Sequence, residues 1–149
     1  MSSSRLEDTT VPIKTRLSAL WASVMFCYVY GDYFELYVPG KLQDMLQGKM
    51  GSIGAVSQGM LVATSLVMLV PSLMIFLSHA LPAAISRWLN IGVGLLFTVL
   101  VLSILAEGAW TFYMLLAGVE AVLTSLVVWY AWRWPRHPDV GIEPVRNRG

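Results

Sequence analysis

The chain has 149 residues, of which 56% are hydrophobic and only 13% charged, and its formal net charge is +1. A soluble domain carries about 25% charged residues, so too little polar surface remains here to cover a water-soluble globule. The small net charge gives no case for a nucleic-acid partner, and one cysteine excludes an internal disulfide.

Four apolar stretches fill most of the sequence and predict four transmembrane helices. Each is about 20 residues or longer, which is the length that an α-helix needs to cross a bilayer core of roughly 30 Å. In chain order they cover Leu17–Val38, Ser57–Ser78, Arg87–Ala106 and Ala109–Trp134. The predicted fold is therefore an all-α bundle of four transmembrane helices over residues 14–135. A flexible N-terminus (1–13) and a flexible tail (136–149) are predicted to flank it.

The first stretch begins like a signal peptide, since Lys14 and Arg16 precede it. It then carries several aromatic residues and continues without a small-x-small cleavage site, which predicts a retained helix. Pro39 and Gly40 predict its end. The following loop, 39–56, contains enough apolar residues around Met45 for a short interfacial helix.

Proline and glycine residues mark a kink and the ends of the later stretches. Pro71 lies well inside the second and predicts a kink. A short turn beginning at Leu81–Pro82 is expected to lead into the third helix at Arg87. Glu107 and Gly108 alone separate the third and fourth stretches, which predicts a tight antiparallel hairpin, and Pro135 ends the last helix.

Basic residues in the flanks predict the orientation. Eight lie on the side that holds both termini and the loop between the second and third helices: Arg5, Lys14, Arg16, Arg87, Arg133, Arg136, Arg146 and Arg148. The other side has Lys41 and Lys49. The excess places both termini in the cytoplasm.

Polar and small residues recur at helical spacing in each stretch, which predicts four inward polar faces. In chain order these faces are Trp21, Met25, Tyr28, Asp32 and Glu35; Gln58, Ser65, Ser72 and His79; Asn90, Gly94 and Thr98; and Tyr113, Ala117, Glu120, Thr124 and Ala131. Close packing of membrane helices requires similar small and hydroxyl residues without any function. Asn90 and His79 in particular have a structural explanation, as polar residues near a helix end.

The carboxylates are harder to explain by packing. Glu120 is expected about 16 Å from the outer end of the fourth helix at the helical rise, where a lone carboxylate needs a proton, a partner or water. No Lys or Arg is expected at that depth. Glu120 is then either a structural hydrogen-bond donor or a titrating site.

Three further acids are predicted at the outer mouth of the bundle. Asp32 and Glu35 share a face of the first helix because they are three residues apart, and Glu107 ends the third helix on the same side. Together they would form a negative vestibule that attracts cations or protons. The alternative is that they are solvated residues at helix ends. Tyrosines near Asp32 are expected to donate hydrogen bonds to its carboxylate.

Several strings carry a resemblance to a known family. LSALWASVMFCYVYGDYFELYVPGK is the most specific, followed by PSLMIFLS, RWLNI, TFY and VVWYAWRWP. Over residues 14–135 the chain resembles a family of small four-helix bacterial membrane proteins of unknown function, with a distant similarity to DoxX-like proteins. The resemblance implies a bacterial inner-membrane location and a four-helix fold. It implies no activity, cofactor or site residue.

Three functional hypotheses follow. The first is a transporter or channel component for protons, cations or a small amphipathic solute. Its pathway candidates are Asp32, Glu35, Glu107, Glu120, Tyr28, Tyr113, His79 and Asn90. It requires a homo-oligomer because four helices enclose little space.

The second hypothesis is a protein that binds a lipid, a quinone or a small apolar ligand, or an accessory protein of a membrane complex. The third, an enzyme, is least favoured, because no nucleophile–base constellation, metal-ligand spacing or cofactor motif is visible. Asp32 and Glu120 are also expected to differ in depth by about 10 Å or more at the helical rise.

Overall fold

The computed structural model describes residues 10–50 and 54–135, and this part of the chain is helical. In chain order the helices are α1 (Ile13–Glu35), α2 (Lys41–Leu46), α3 (Gln58–Ala80), α4 (Ala83–Glu107) and α5 (Thr111–Trp132). Among the described residues, the one extended pairing is an isolated bridge between Lys49 and Ala55. The all-α prediction is confirmed. The two predicted flexible ends lie almost wholly outside the described residues, and with them Arg5, Arg136, His137, Arg146 and Arg148.

Within the described residues, three helices are long and apolar enough to cross a membrane. The mean hydropathy of their most apolar windows is 2.4 for α3, 2.4 for α4 and 1.8 for α5. Helix α1 is equally long, at 23 residues. Its mean hydropathy is lower than that of the other three because it contains several tyrosines and Asp32 among its apolar residues. The fourth membrane span therefore stays a prediction.

The four long helices form a closed arrangement. Helix α1 packs between α3 and α5, α5 packs along α4, and α4 closes the ring with a smaller contact to α3. Short links make α3 and α4, and α4 and α5, antiparallel neighbours, whereas the longer connection from α1 to α3 contains α2. The basic end of the bundle holds Lys14, Arg16, Arg87 and Arg133, and the acidic end holds Glu35, Lys41, Asp44 and Glu107.

The basic end is tied together by its own cations. The Lys14 ammonium donates to the backbone carbonyls of His79 (3.2 Å) and Leu81, at the end of α3. The Arg87 guanidinium donates to the carbonyl of Ala131 (3.2 Å). These bonds satisfy carbonyls that the last turns of α3 and α5 would otherwise leave open, so the lysine and arginine hold neighbouring helix ends in register.

The boundaries of the four long helices differ from the predicted stretches by one to four residues, and two of these differences have a clear local cause. Helix α1 ends at Glu35 rather than Val38, because Pro39 disfavours helical backbone in the residue before it and Gly40 turns the chain with a φ of 86°. Helix α4 begins at Ala83 rather than Arg87. Pro82 occupies its N-cap position, and the Pro82 carbonyl accepts the Ser86 amide (2.9 Å), so the expected turn up to Arg87 is helical.

Other connections are close to expectation. The short helix around Met45 is confirmed as α2. Residues Gly108–Trp110 join α4 to α5, one residue more than predicted, and Gly108 has a φ of 78°. Helix α3 continues through Pro71, next to which the Ser72 hydroxyl donates to the Met68 carbonyl (2.9 Å).

The inward polar faces of α4 and α5 are confirmed. Asn90, Gly94, Ala117, Glu120 and Thr124 are buried. An added Cβ at Gly94 would lie 2.8 Å from Cγ2 of Val128, so this glycine lets α4 and α5 approach closely.

The predicted face of α3 is wrong at three of its four residues; Ser72 alone is half-buried, and its hydroxyl contacts Met25 of α1. Gln58, Ser65 and His79 are exposed, and the buried residues are Pro71, Met74 and Ser78. A strict seven-residue repeat drifts by about 20° per heptad on a straight helix. Ser65 also needs no partner on another helix, because its hydroxyl donates to the carbonyl of Leu61 (2.8 Å) in its own helix.

Candidate functional site

Asn90 forms a saturated hydrogen-bond network in the half of the bundle near the basic end. Its side-chain oxygen accepts from the Trp21 indole (2.8 Å) and from the Ser78 hydroxyl (3.2 Å). Its amide nitrogen donates to the Ser86 carbonyl (2.8 Å), and the Ser86 hydroxyl donates to the Ser78 carbonyl (3.0 Å). All four side chains are fully buried or nearly so. The network joins α1, α3 and α4 and leaves no polar group free for a ligand.

An apolar seal lies between this network and the middle of the bundle. Trp21, Val24 and Val127 are fully buried, and Phe97 is 2% exposed. The Phe97 ring packs edge-on against Trp21 at 6.1 Å and against Tyr28 at 6.3 Å between centroids. Within the described residues, this packing closes the basic-end half to water.

A small cavity lies on the acidic-end side of that seal, between α1 and α5. It has a volume of about 10 Å³ and is lined by Tyr28, Gly31, Asp32, Tyr113, Leu116, Ala117 and Glu120. A cavity of about 10–15 Å³ holds one water molecule. Two acids and two tyrosines therefore contribute to the lining of a space the size of a single water; Glu120 is buried there, whereas Asp32 is exposed.

The Glu120 side chain is the least explained polar group in the structure. It is only 6% exposed, and its backbone carbonyl, not its carboxylate, accepts from Thr124 (2.9 Å). None of the residues that the structure describes donates a hydrogen bond to the carboxylate. No fully buried polar side-chain atom in that part of the chain lacks a partner, so the Glu120 carboxyl oxygens are not fully enclosed, and Glu120 lines the small cavity.

Two larger clefts flank the small cavity at the acidic end. The first, the acidic cleft, has a volume of about 480 Å³ and includes Glu35, Lys41, Asp44, Glu107 and Tyr113 in its lining. Three carboxylates there face one ammonium, and the Lys41 ammonium pairs with Glu35. The cleft therefore keeps negative charge, as a vestibule for cations requires.

The second, the methionine cleft, lies among α1, α2 and α3. It also has a volume of about 480 Å³ and is lined by Val29, Asp32, Tyr33, Glu35, Leu36, Lys41, Met45, Met50, Thr64 and Met68. Asp32 belongs to both this cleft and the small cavity, and Tyr113 belongs to both the acidic cleft and the small cavity. Each large cleft thus shares one polar wall residue with the space in front of Glu120.

The structure unites half of the predicted site and separates the rest. Tyr28, Asp32, Tyr113 and Glu120 line the small cavity, although the estimated depths of the two acids argued against their meeting. The helical rise gives the depth of backbone atoms only. Side chains tilt toward the N-terminus of their own helix, so those of the antiparallel helices α1 and α5 approach each other in depth. Glu35 and Glu107 line the acidic cleft.

The remaining two predicted residues lie elsewhere. Asn90 is committed to the network described above, and His79 is exposed at the basic end. Neither residue lines the small cavity or the acidic cleft, so the pathway role predicted for them has no structural support from the acids.

The tyrosines near Asp32 behave differently from expectation. The Tyr33 and Tyr37 hydroxyls bond each other (2.9 Å), and no hydroxyl in the described part of the chain donates to Asp32. Tyr30 and Tyr37 are more than half exposed. The Tyr30 ring stacks on Phe26 and Phe34, and the Tyr33 ring packs edge-on against Tyr37, on the exposed side of the chain.

Sequence reasoning missed Lys41 and Asp44 as parts of the site. Both come into the acidic cleft because the left-handed turn at Gly40 folds α2 back over the end of α1. A proline–glycine pair directly after an acidic helix end was the available signal. Within the described residues, no group of three or more His, Cys, Asp or Glu side chains could hold a metal ion.

The geometry permits proton or cation exchange at a carboxyl pair. Two carboxyls around one water can share a proton, and two phenols can orient that water.

A search of curated proteins and a search of solved structures returned no match. A family profile matches residues 9–140, almost the whole chain, in agreement with the resemblance seen in its sequence strings. The chain belongs to the family of unknown function DUF6326.

Proposed function

We propose that this membrane protein takes up protons or small cations at the Asp32–Glu120 cavity, as a transporter or channel component. The observation that carries the proposal is Glu120, a residue that is 6% exposed and that lines a water-sized cavity together with a second acid, Asp32. A carboxylate at membrane depth is stable only when protonated, paired or hydrated. The cavity lining contains no lysine or arginine, which leaves a proton, a cation or water as the partner.

The proposal includes a fourth span and an orientation. Helix α1 has 23 residues, about 34 Å at the helical rise, and it packs between two membrane-capable helices. We place the basic end in the cytoplasm of a bacterial cell, since Lys14, Arg16, Arg87 and Arg133 outnumber Lys41 and Lys49. The Glu120 cavity is then reached from the outer side of the inner membrane.

Passage across the whole membrane needs more than the bundle in this state. The buried side chains of Trp21, Val24, Phe97 and Val127 close the way from Glu120 to the basic end. Packed interiors of this kind exclude water. Uptake from one side followed by release to the other therefore requires a rearrangement of the bundle, or a pathway shared by the copies of a homo-oligomer.

A second candidate function, binding of a lipid, a quinone or another small apolar molecule, is favoured by the methionine cleft. Its volume of about 480 Å³ lies within the range of ligand pockets, about 300–1,000 Å³. Methionines adapt to irregular apolar ligands. Native mass spectrometry that finds a stoichiometric apolar molecule on the purified protein would support this function.

Flux measurements in proteoliposomes test the proposed function. The wild type and the Glu120→Gln variant are compared for movement of protons, Na⁺ and K⁺ under an imposed gradient. Glu107→Gln is the matched control, because Glu107 lies in the acidic cleft and is absent from the small cavity. We expect Glu120→Gln to abolish a flux that Glu107→Gln retains. Equal fluxes in wild type and Glu120→Gln would contradict the proposal.

A further inference from the structure

We infer that the methionine cleft binds an amphiphilic organic monocation, whose apolar body lies against the methionines and whose positive charge lies beside Asp32. The inference deepens the proposed function by naming a substrate class, and it rests on that function only for the coupling to Glu120. Binding itself follows from the cleft, which has the volume of a drug-sized ligand pocket.

The lining is apolar on several sides. Met45 comes from α2, Met50 from the segment that follows α2, and Met68 from α3, so three thioethers from separate parts of the chain surround the space. Thioether side chains are flexible and polarisable, and they pack against aromatic and aliphatic groups of varied shape. Tyr33 adds an aromatic ring, which attracts a cation placed over its face. The wall therefore suits a bulky apolar body that carries a diffuse positive charge.

The charges in the cleft fix the sign of the ligand. The Lys41 ammonium forms an ion pair with Glu35, and this pair is nearly neutral as a unit. Asp32 then remains the one carboxylate of the lining without a cationic partner among the described residues. Asp32 is exposed, and its negative charge attracts a cation to the cleft and repels an anion. Charge complementarity therefore selects a ligand with a single positive charge.

Asp32 also links this cleft to the proton site. The same carboxyl lines the small cavity in front of Glu120. A cation bound beside Asp32 and a proton held between Asp32 and Glu120 neutralise the same negative charge. The two therefore compete, which is the coupling that exchange of a proton for an organic cation requires.

The charged and titratable groups around the pair are few. Glu35 and Lys41 act on Asp32 from α1 and α2, Tyr28 and Cys27 lie near Glu120 on α1, and Tyr113 faces both acids from α5. Helix α3 has no charged residue, and its His79 lies at the far end. Helix α4 has Arg87 and Glu107 near its two ends. Competition is therefore expected at the Asp32–Glu120 pair itself.

Equilibrium dialysis with tetraphenylphosphonium tests the inference on the purified full-length protein in detergent. Triphenylphosphine oxide is the neutral probe of similar shape. We expect saturable binding of the cation, weakened at least tenfold by Asp32→Asn and by Met68→Trp, which fills the cleft. Ser103→Ala is the control and should bind as the wild type does, because Ser103 is exposed on α4, bonds only its own helix and lines neither cleft. Helicity and elution volume confirm the fold of each variant.

The outcomes separate this inference from the proposed function. Wild-type binding by Asp32→Asn, equal affinity for the neutral probe, or no binding of tetraphenylphosphonium at all would overturn the inference, even if Glu120-dependent flux in proteoliposomes persists. Asp32-dependent binding with no Glu120-dependent flux would support the cleft and overturn the proposed function. Binding that weakens as the pH falls in the wild type, but not in Glu120→Gln, would support both.

Discussion

The two halves of this bundle treat buried polar groups in opposite ways. Near the basic end, Trp21, Ser78, Ser86 and Asn90 bond one another across three helices at distances of 2.8–3.4 Å. Near the acidic end, Glu120 is almost as deeply buried, yet its carboxylate faces a cavity and has no hydrogen-bond donor among the described residues.

The difference teaches where to look for function in a small membrane protein. A polar network in which every group has a partner stabilises one arrangement of the helices. An ionisable group held without a protein partner costs free energy in that arrangement, unless a proton, ion or water joins it. The basic-end half therefore supplies stability, and the acidic-end half keeps a site open.

Asn90→Ala should be the most damaging single change. It removes the acceptor of the Trp21 indole and the Ser78 hydroxyl, which are then buried without partners, at an expected cost of about 2 kcal/mol. The free energy of unfolding in mixed micelles measures this loss. Ser65→Ala is the control, because Ser65 is exposed and bonds only its own helix. Equal stability of the two variants would mean that the network contributes little.

Gly94→Ala should destabilise the contact between α4 and α5 by about 1–2 kcal/mol. The new methyl group would lie 2.8 Å from Val128 Cγ2 and 3.3 Å from Val127 Cγ1, so both valines must shift. Gly92→Ala lies two residues away in the same helix and meets nothing within 4 Å. That variant should be neutral or slightly stabilising, since alanine favours helix. Thermal unfolding of the two variants gives the comparison, and a reversed order would refute the close approach at Gly94.

Lys41→Gln should have the smallest effect on stability, about 0.5 kcal/mol, because its ion pair with Glu35 is partly exposed. The variant should take up cations faster than the wild type, and this increase in rate should be larger at low salt than at high salt. Without the ammonium, three unneutralised carboxylates line the acidic cleft, and their attraction for cations is screened by ions. Uptake rates measured at two ionic strengths test this expectation. A salt-independent rate would show that the acidic cleft does not steer cations.

The positions of the helices were predictable from sequence, but the face that each helix presents to the interior was less so. Long apolar runs located α3, α4 and α5, and a polar stripe along α4 and α5 identified Asn90, Gly94, Glu120 and Thr124 as inward-facing. The same reasoning failed on α3. Exposed serines there are satisfied by their own backbone, and a seven-residue repeat drifts around the helix axis.

The site was only half predictable for a related reason. Helical spacing identified Glu120 and Asp32 singly, since an acid within an apolar run needs a compensating partner. It did not place them at one cavity, because that depends on how far α1 and α5 are shifted along each other. Lys41 and Asp44 depended on the turn at Gly40, whose direction no periodic pattern encodes.

A titration of the Glu120 carboxyl by infrared spectroscopy shows whether Asp32 and Glu120 form one site. The difference between the wild type and Glu120→Gln isolates the Glu120 band in proteoliposomes. The same difference measured in an Asp32→Asn background isolates it again. Since both side chains line one water-sized cavity, the account predicts that Asp32→Asn moves the Glu120 midpoint by about one pH unit or more. An unchanged midpoint and band position would show that the two carboxyls titrate independently, and would contradict the account.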